Sequence, residues 1–428
     1  MLLRLHTALR PSFLATSRLT LTLSSSIRTM SSAQDFKQAP HRLLVIPGPI
    51  EVTDEVLYAN AHPSMSHVSP DFIPVFGDCI RMTREVLLTK DAQPFLIAGS
   101  GTLGWDQVAA NLIEPGDHAL VLHTGYFGDS FHECLTAYGA NAEQLKADIG
   151  DVVPLEKVEE ALKKRKYKVL TFTHVDTSTG VLSDAKGISE VVRRVSPDTL
   201  IIMDAVCSVA SEEIRMDAWD LDVVLTASQK GLGTPPGLSI LAASQRALSV
   251  FSARTKPVQA YYASWHKWLP VMKAYEGGQA VYFATPPVNL VYAFHESLKQ
   301  ILAPAPVASG AAASSPIEQR FAQHRAASGK FKAAAEELGL KQVPKRNGVA
   351  ANGMTALYFP EGVKAADLLP RLARRGIVAA GGLHKDIKDT YFRVGHMGVT
   401  AVDETRGDVD AVITALAESL EDARTGRQ

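Results

Sequence analysis

Residues 222–237 read Asp-Val-Val-Leu-Thr-Ala-Ser-Gln-Lys-Gly-Leu-Gly-Thr-Pro-Pro-Gly, with the lysine at position 230. The apolar run at 223–225 contains two β-branched residues and predicts a buried strand. The glycines and prolines that follow Lys230 exclude a long helix and predict a turn. The sequence therefore predicts a lysine at the carboxyl end of a buried strand, which is where open α/β sheets bind ligands.

A second strand of the same type ends in a carboxylate, because Thr199-Leu-Ile-Ile-Met leads directly into Asp204. We expect Asp204 and Lys230 at neighbouring positions of one sheet. A structural ion pair is one interpretation. The other is a pyridoxal phosphate site, in which the lysine forms the Schiff base and the aspartate keeps the pyridine nitrogen protonated.

A phosphate-binding turn is the first feature that the cofactor interpretation requires. Gln93-Pro-Phe-Leu-Ile-Ala98 predicts a strand, Gly99-Ser100-Gly101-Thr102 follows it, and residues 103–112 predict a helix. Backbone N–H groups and two hydroxyls at a helix N-terminus suit a phosphate, although small residues there are usually simple caps. The Walker lysine and the third glycine of the dinucleotide motif are missing, which disfavours a nucleotide.

Two further strand ends supply candidate cofactor contacts. The strand that begins at His118 runs into Gly125-Tyr126-Phe127-Gly128, where an aromatic ring can stack on a pyridine ring. The strand at 167–173 leads into His174-Val-Asp-Thr177-Ser-Thr-Gly180, whose hydroxyls can bind the phenolic oxygen. Each motif also has an ordinary explanation: the first can be a core aromatic beside a turn, and the second a polar loop.

The order of these motifs resembles that of the class V aminotransferases, among the fold-type I pyridoxal phosphate enzymes, and most of all their alanine–glyoxylate (serine–pyruvate) branch. The resemblance covers roughly residues 42–425, from Pro47-Gly48-Pro49 to Phe392-Arg393-Val-Gly395. It implies an α/β fold with a large domain built on a mostly parallel, seven-stranded sheet, a smaller α+β C-terminal domain, and a homodimer. The expected reaction converts L-alanine and glyoxylate to pyruvate and glycine.

The resemblance also assigns roles to individual residues. It implies that Lys230 and Asp204 are catalytic and that Gly48 and Arg393 bind the substrate, with Arg393 holding its α-carboxylate. Phe127 stands where relatives often have tryptophan, and the smaller ring should still stack. The remaining implied cofactor contacts are Ser100, Gly101, Thr102, Phe127, Thr177, Gln229, Tyr282 and Thr285, the last two reaching the cofactor phosphate of the partner subunit.

The composition agrees with a large globular enzyme. The chain has 428 residues, 46% of them hydrophobic, and a net charge of −1, which implies neither a nucleic-acid partner nor a partner with an acidic surface. The three cysteines lack metal or redox spacing, so we expect reduced thiols and no metal site. No apolar stretch is long enough to span a membrane.

The expected domain organisation follows the motifs. Alternating strands and helices from about residue 93 to 245 predict a mostly parallel sheet in a large domain over 61–286, preceded by an N-terminal segment at 35–60. A linker helix at 287–302 opens the C-terminal part, 287–428, after which 303–316 predicts a low-complexity insertion. The elements expected beyond it are helix 317–338, strand 354–359, helix 364–375, strand 377–380 and helix 402–422.

The first 34 residues differ in kind from the rest. They contain no acidic residue, and their arginines are spread among Leu, Ser and Thr. That composition predicts a mitochondrial transit peptide over 1–34 and a matrix location. Met30 offers a second start that would give a cytosolic form.

Three alternatives stay open from the sequence alone. A serine–pyruvate, serine–glyoxylate or other class V aminotransferase would share every motif. A cysteine desulfurase or related lyase would need a cysteine after the lysine, and all three cysteines precede Lys230. A nucleotide-binding module without enzymatic activity would explain the glycine-rich turn but not the lysine and aspartate.

Overall fold

The structure is a computed structural model that describes residues 36–304 and 315–426. The expected transit peptide at 1–34 and the alternative start at Met30 lie outside the described residues. So does most of the expected insertion, because residues 305–314 fall outside them.

The strands are short and distributed over one large sheet and three small ones. In chain order they are β1 Leu43–Leu44, β2 Gln93–Ala98, β3 His118–His123, β4 Asn141–Lys146, β5 Val169–Thr173, β6 Val175–Asp176, β7 Val181–Leu182, β8 Leu200–Asp204, β9 Val223–Ala227, β10 Leu238–Ala243, β11 Met354–Tyr358, β12 Ile377–Val378, β13 Ala380–Gly381 and β14 Tyr391–Gly395.

The helices alternate with these strands in the first part of the chain and dominate the second. They are α1 Asp54–Asn60, α2 Phe72–Leu87, α3 Thr102–Leu112, α4 Tyr126–Ala137, α5 Leu155–Lys164, α6 Ala185–Val195, α7 Gln245–Ser252, α8 Trp265–Glu276, α9 Val288–Leu302, α10 Pro316–Glu337, α11 Ala365–Arg374, α12 Val399–Val402 and α13 Asp408–Thr425.

The large sheet has seven strands in the order β2-β10-β9-β8-β5-β3-β4. Its pairs are parallel except those of β10, which runs antiparallel to both β2 and β9. The predicted α/β fold with a mostly parallel seven-stranded sheet is thereby confirmed. Since β5, β8, β9 and β10 are buried along their whole length, the apolar runs of the sequence cover both sheet faces.

The C-terminal domain packs helices against the three-stranded sheet β11-β14-β13. Its core includes Phe331, Leu357, Phe392 and Leu416. Helix α10 begins where the sequence supplies both start signals, since Pro316 is its first residue and Ser315 and Glu318 form a capping box. The predicted α+β character of this domain is confirmed, while its boundary at residue 287 stays a prediction.

Two predicted elements of this domain are wrong in detail. The helix expected over 402–422 is divided, because α12 ends at Val402 and α13 begins at Asp408. Gly407, the residue before α13, has φ +66, a left-handed conformation that interrupts a helix. The strand expected over 377–380 is also divided, since β12 pairs with β1 and β13 pairs with β14.

The N-terminal segment joins the C-terminal domain. Strand β1 pairs in parallel with β12, and Val45 O accepts a hydrogen bond from Gly395 N. The chain then turns at Gly48 toward the large sheet, where Ile50 N donates to Gln229 O. This path brings the N-terminal segment against the turn that carries Lys230.

Candidate active site

Lys230 lies in a turn directly after β9, as the sequence predicts. Ser228 stabilises this turn because its hydroxyl donates to Pro235 O at 2.7 Å. The Lys230 side chain is 9% exposed, and its Nζ donates to Pro47 O of the N-terminal segment. Burial lowers the pKa of the Lys230 ammonium group, which favours the neutral amine that a proton acceptor needs.

Asp204 lies at the carboxyl end of β8, the sheet neighbour of β9. It is 2% exposed, and both carboxylate oxygens accept hydrogen bonds, from Trp105 Nε1 at 2.8 Å and from Val206 N at 3.0 Å. Burial raises the pKa of Asp204 to about 6, although these two hydrogen bonds oppose the shift. The carboxylate is therefore held in a site where a positive partner would stabilise its charge.

Lys230 and Asp204 line the same cavity, whose volume is about 200 Å³. The expected juxtaposition of these two side chains is thus present in the structure. Other sequence-predicted residues that line this cavity are Gly48, Ser100, Gly101, Thr102, Phe127, Thr177 and Gln229. A larger cavity of about 840 Å³ between the large sheet and the C-terminal domain contains neither Lys230 nor Asp204.

The N-terminus of α3 forms one end of the cavity. Gly101 precedes the helix, and an added Cβ there would lie 2.8 Å from Val206 Cγ2, so the backbone approaches the cavity wall closely. Among the described residues, no acceptor binds the N–H groups of Gly101 and Thr102. Free N–H groups and two hydroxyls at a helix N-terminus are suited to a phosphate dianion.

The middle of the cavity is lined by an aromatic ring, an unpaired amide oxygen and a threonine. Phe127 lies near the start of α4 and contacts Trp105, with the ring centroids 6.3 Å apart. Gln229 Oε1 is buried, and nothing in the described part of the chain donates to it. Thr177 is 6% exposed and lies across the cavity on the loop between β6 and β7.

Arg393 lies beside the cavity on β14 of the C-terminal domain. Its Nε donates to Gly381 O at 2.7 Å, and its Nη1 donates to Thr177 O at 3.1 Å. Both of these acceptors are backbone carbonyls, and burial lowers the pKa of the guanidinium. The side chain is therefore a positioned cation with the charge still available to a bound anion.

The structure does not bring Tyr282 and Thr285 into this cavity. Both residues are exposed at the surface, Tyr282 with 64% of its area accessible. Their expected contact with the partner subunit's cofactor stays a prediction.

Sequence reasoning missed several residues that line the cavity. Trp105 holds Asp204, and it was detectable because a helix residue three positions after Thr102 returns to the same face. Cys207 is also at the cavity, although as a free thiol far from the other two cysteines it gave no signal. Thr173, Val175 and Val206 complete the lining.

Gly48 permits the Lys230 side chain to occupy its position. The φ angle of Gly48 is +111, and an added Cβ would overlap Lys230, lying 2.8 Å from Nζ. We expect Gly48→Ala to displace the lysine and lower kcat by about 100-fold, because a shift of about 1 Å can cost that much. Steady-state rates and thermal unfolding of the holoenzyme would measure the effect.

Gly376→Ala is a suitable control for the backbone strain at Gly48, since Gly376 has φ +81 and an added Cβ would meet nothing within 4 Å. If the two variants keep equal activity, the contact between Gly48 and Lys230 has no role in positioning the lysine.

The cavity fits pyridoxal 5′-phosphate. It has free N–H groups for a phosphate at one end, a buried carboxylate for a cationic ring nitrogen, an aromatic side chain for the ring, and an amine of lowered pKa. The unpaired oxygen of Gln229 is a further polar atom that a ligand can satisfy. Within the described residues, no group of three or more His, Cys, Asp or Glu is arranged to hold a metal ion. No described helix is both long and apolar enough to cross a bilayer.

Comparisons with known proteins agree with this geometry. The profile of the family "Aminotransferase class-V" matches residues 50–388. Alanine–glyoxylate aminotransferase 1 of Saccharomyces cerevisiae is 42% identical over 369 residues, which cover 84% of this chain and 92% of the yeast protein. The crystal structure of a Nostoc alanine–glyoxylate aminotransferase has a TM-score of 0.79 at 29% identity, covering 90% and 96% of the two chains. That of a Thermus thermophilus aspartate aminotransferase has a TM-score of 0.77 at 31% identity, covering 89% and 99%.

Proposed function

Because the chain belongs to the class-V aminotransferases, we propose that this pyridoxal phosphate enzyme transfers the amino group of L-alanine to glyoxylate. The products would be pyruvate and glycine, which makes the reaction a source of glycine. The single observation that carries the substrate proposal is the charge inside the cavity. Of the described residues that line it, Lys230 alone is basic, and Arg393 adds one cation at its edge.

The number of cations limits the class of amino donor. A donor with one carboxylate needs one guanidinium, whereas a dicarboxylic donor needs a second cation in the cavity. Alanine and glyoxylate each carry one carboxylate. Lys230 cannot serve as a permanent second anchor because its amine must react.

Each residue then has a distinct task. The bound cofactor supplies an electron sink that stabilises negative charge at the α-carbon of the amino acid. Lys230 Nζ, as a neutral amine, removes the α-proton and returns a proton later in the reaction. Asp204 holds positive charge on the ring nitrogen, and Arg393 orients the substrate through its carboxylate. Gly101, Ser100 and Thr102 hold the phosphate at the start of α3.

Arg393 provides a direct test of carboxylate binding. We expect Arg393→Gln to lower kcat/KM for L-alanine by about 100-fold, since hydrogen bonds to a charged group contribute about 1.5–3 kcal/mol each. The loss should fall mainly on KM, because the carboxylate binds alike in the ground and transition states. Steady-state kinetics would separate the two constants.

Arg371→Gln serves as a control, because Arg371 lies on α11 and does not line the cavity. A Michaelis constant for alanine unchanged in Arg393→Gln would show that another group binds the carboxylate.

A donor panel tests the proposed substrate. The purified holoenzyme is given glyoxylate with L-alanine, L-serine or L-aspartate, and glycine formation is measured with the Lys230→Ala protein as the blank. We expect the highest kcat/KM for alanine. A value for serine or aspartate about tenfold above that for alanine would replace the proposed donor.

A homodimer is the proposed assembly. Three tyrosines and a valine, namely Tyr261, Tyr262, Val281 and Tyr282, form a surface patch in which each residue exposes between 38% and 73% of its area. Tyr262 Oη donates to Ala98 O, so the patch lies beside the phosphate-binding turn. A second copy that covers this patch would border the cavity, as expected if Tyr282 and Thr285 reach the partner's cofactor. Sedimentation of the holoenzyme as a monomer would contradict this assembly.

A mitochondrial matrix location is proposed from residues 1–34 alone. Their arginine-rich, acid-free composition supports it. Fluorescent fusions of the full chain and of a form starting at Met30 would test it, and matrix import of the shorter form would contradict the proposal.

A further inference from the structure

Arg320, on helix α10 of the C-terminal domain, lies beneath the two loops that follow the catalytic residues. Arg320 Nε donates to Ala210 O at 3.1 Å, and its Nη2 donates to Gly231 O at 3.1 Å. Ala210 belongs to the loop that follows Asp204, and Gly231 is the residue after Lys230. One guanidinium therefore joins both loops through their backbone.

The two loops are in close contact where Arg320 binds them. An added Cβ at Gly231 would overlap Val209 O, so the backbones touch without room for a side chain. Ala210 has φ +62, a conformation that residues other than glycine rarely adopt. This backbone conformation persists only where neighbouring contacts hold it.

Arg320 is the donor that these carbonyls depend on. No other donor among residues 36–304 and 315–426 binds Ala210 O or Gly231 O. Carbonyls in such packed loops need a partner, and a planar guanidinium can serve two acceptors at once in a fixed geometry. Glutamine or lysine at this position cannot reproduce that geometry.

The charge of Arg320 has no acidic partner in the described part of the chain, where its guanidinium donates to two backbone carbonyls. Burial lowers the pKa of its guanidinium to about 10, and its accessible part lines a small cavity of about 90 Å³. Even a half-buried cation without a carboxylate partner is costly, so a residue that only filled space would not need to be arginine.

One turn further along α10, His324 links the same helix to the substrate-binding strand. Its Nδ1 is 2.8 Å from Arg320 O and its Nε2 is 3.1 Å from Gly398 N. Since the N–H of Gly398 must donate, Nε2 accepts and Nδ1 carries the proton. Gly398 follows β14, the strand of Arg393. Helix α10 thus contacts the segments of Lys230, Asp204 and Arg393.

We propose that Arg320 is a positioning residue, which fixes Lys230 and Asp204 relative to each other by binding the carbonyls of Gly231 and Ala210. This inference rests on the proposed aminotransferase function. The two catalytic groups act on opposite ends of one ring system, so their separation must be held while the substrate changes. Arg320 supplies that constraint from outside the cavity, because it is not among the residues that line it.

Substitution of Arg320 by glutamine and by lysine tests the proposal. We expect Arg320→Gln to lower kcat by about 10- to 100-fold with the KM for alanine changed by less than about threefold, because loop displacement affects the reacting groups and spares the carboxylate anchor. The apoenzyme's Kd for pyridoxal phosphate, measured by absorbance titration, should rise by about tenfold for the same reason. Arg320→Lys should show an intermediate loss of kcat, since an ammonium keeps the charge but lacks the planar guanidinium that donates to two acceptors at once.

Arg325→Gln and Arg325→Lys are matched controls, because Arg325 is an exposed arginine on the same helix. The proposal is overturned if kcat and Kd of Arg320→Gln match those of Arg325→Gln, or if the loss disappears after normalisation to folded, cofactor-loaded protein. Full activity in Arg320→Lys would equally overturn it, and this variant carries the test if Arg320→Gln does not fold. Absence of transamination by the wild-type protein would refute the proposed function instead, while the Kd comparison would still test the role of Arg320.

Discussion

Lys230→Ala is expected to lower turnover by at least about 10⁴-fold, because it removes both the covalent attachment of the cofactor and the general base. The visible absorbance of cofactor bound through the lysine should disappear as well. Rapid gel filtration followed by an absorbance scan would measure that loss, and a coupled assay would measure the rate. The fold should survive, since the aliphatic part of Lys230 lies in a cavity and its Nζ makes one hydrogen bond, to Pro47 O.

Lys186→Ala is the control for this experiment, because Lys186 is an exposed lysine on α6. An active, yellow Lys230→Ala protein would refute the assignment of the catalytic lysine. External amines such as methylamine should restore part of the rate in Lys230→Ala if the missing function is proton transfer, and they should leave the control unchanged.

Asp204→Asn is expected to lower kcat by about 10²- to 10³-fold while the protein keeps some cofactor, because the amide fills the same space without the charge. The bond from Trp105 Nε1 can persist, since an amide oxygen also accepts. Normal turnover in this variant would remove the role of Asp204 in stabilising the ring nitrogen's charge. Absorbance titration would report cofactor affinity independently of the rate.

The same variant should show the energetic cost of the buried Asp204 charge, through the pH dependence of the apoprotein's stability. The pKa of Asp204 rises from an ordinary 3.8 to about 6 through burial, so the folded state binds this proton more tightly than the unfolded state. Wild-type apoprotein should therefore lose stability as the pH rises from about 4 to about 6, by up to about 3 kcal/mol for a shift of about two units. Below pH 4 and above pH 6 this contribution should be constant.

Urea unfolding of wild-type and Asp204→Asn apoproteins at pH 4.5 and pH 7 would isolate this effect. The contributions of the other carboxylates to the unfolding free energy cancel when the two proteins are compared at the same pH. The advantage of Asn should grow with pH and shrink in the holoenzyme, where the carboxylate faces a positive charge. A difference in unfolding free energy that is independent of pH would show that Asp204 has an ordinary pKa.

The sequence predicted the parts of the site that depend on strand ends. Lys230, Asp204, Phe127 and Thr177 each follow an apolar run, and parallel strands bring their carboxyl ends to one edge of a sheet. The family resemblance added Gly48. Gly48 and Lys230 are in contact but are separated by most of the large domain along the chain, so no local sequence pattern indicates their contact.

Other features were not predictable because they depend on tertiary contacts. The antiparallel direction of β10 follows from the turn after Lys230, and its apolar sequence is that of a parallel strand. Arg320 looks like one more arginine on an amphipathic helix, and only the loops packed beneath it reveal its acceptors. The division of the last predicted helix depends on one glycine in a left-handed conformation.

The pairing of β1 with β12 has a consequence for biosynthesis. The segment that accepts the Lys230 hydrogen bond precedes the large sheet in the chain, but its strand partner at Ile377–Val378 is synthesised only after that sheet. Domains generally fold as units during synthesis, N-terminal parts first. The nascent large sheet should therefore present its lysine without the Pro47-Gly48 wall, and vitamin B6 capture should become tight only once β12 has been synthesised and has paired with β1.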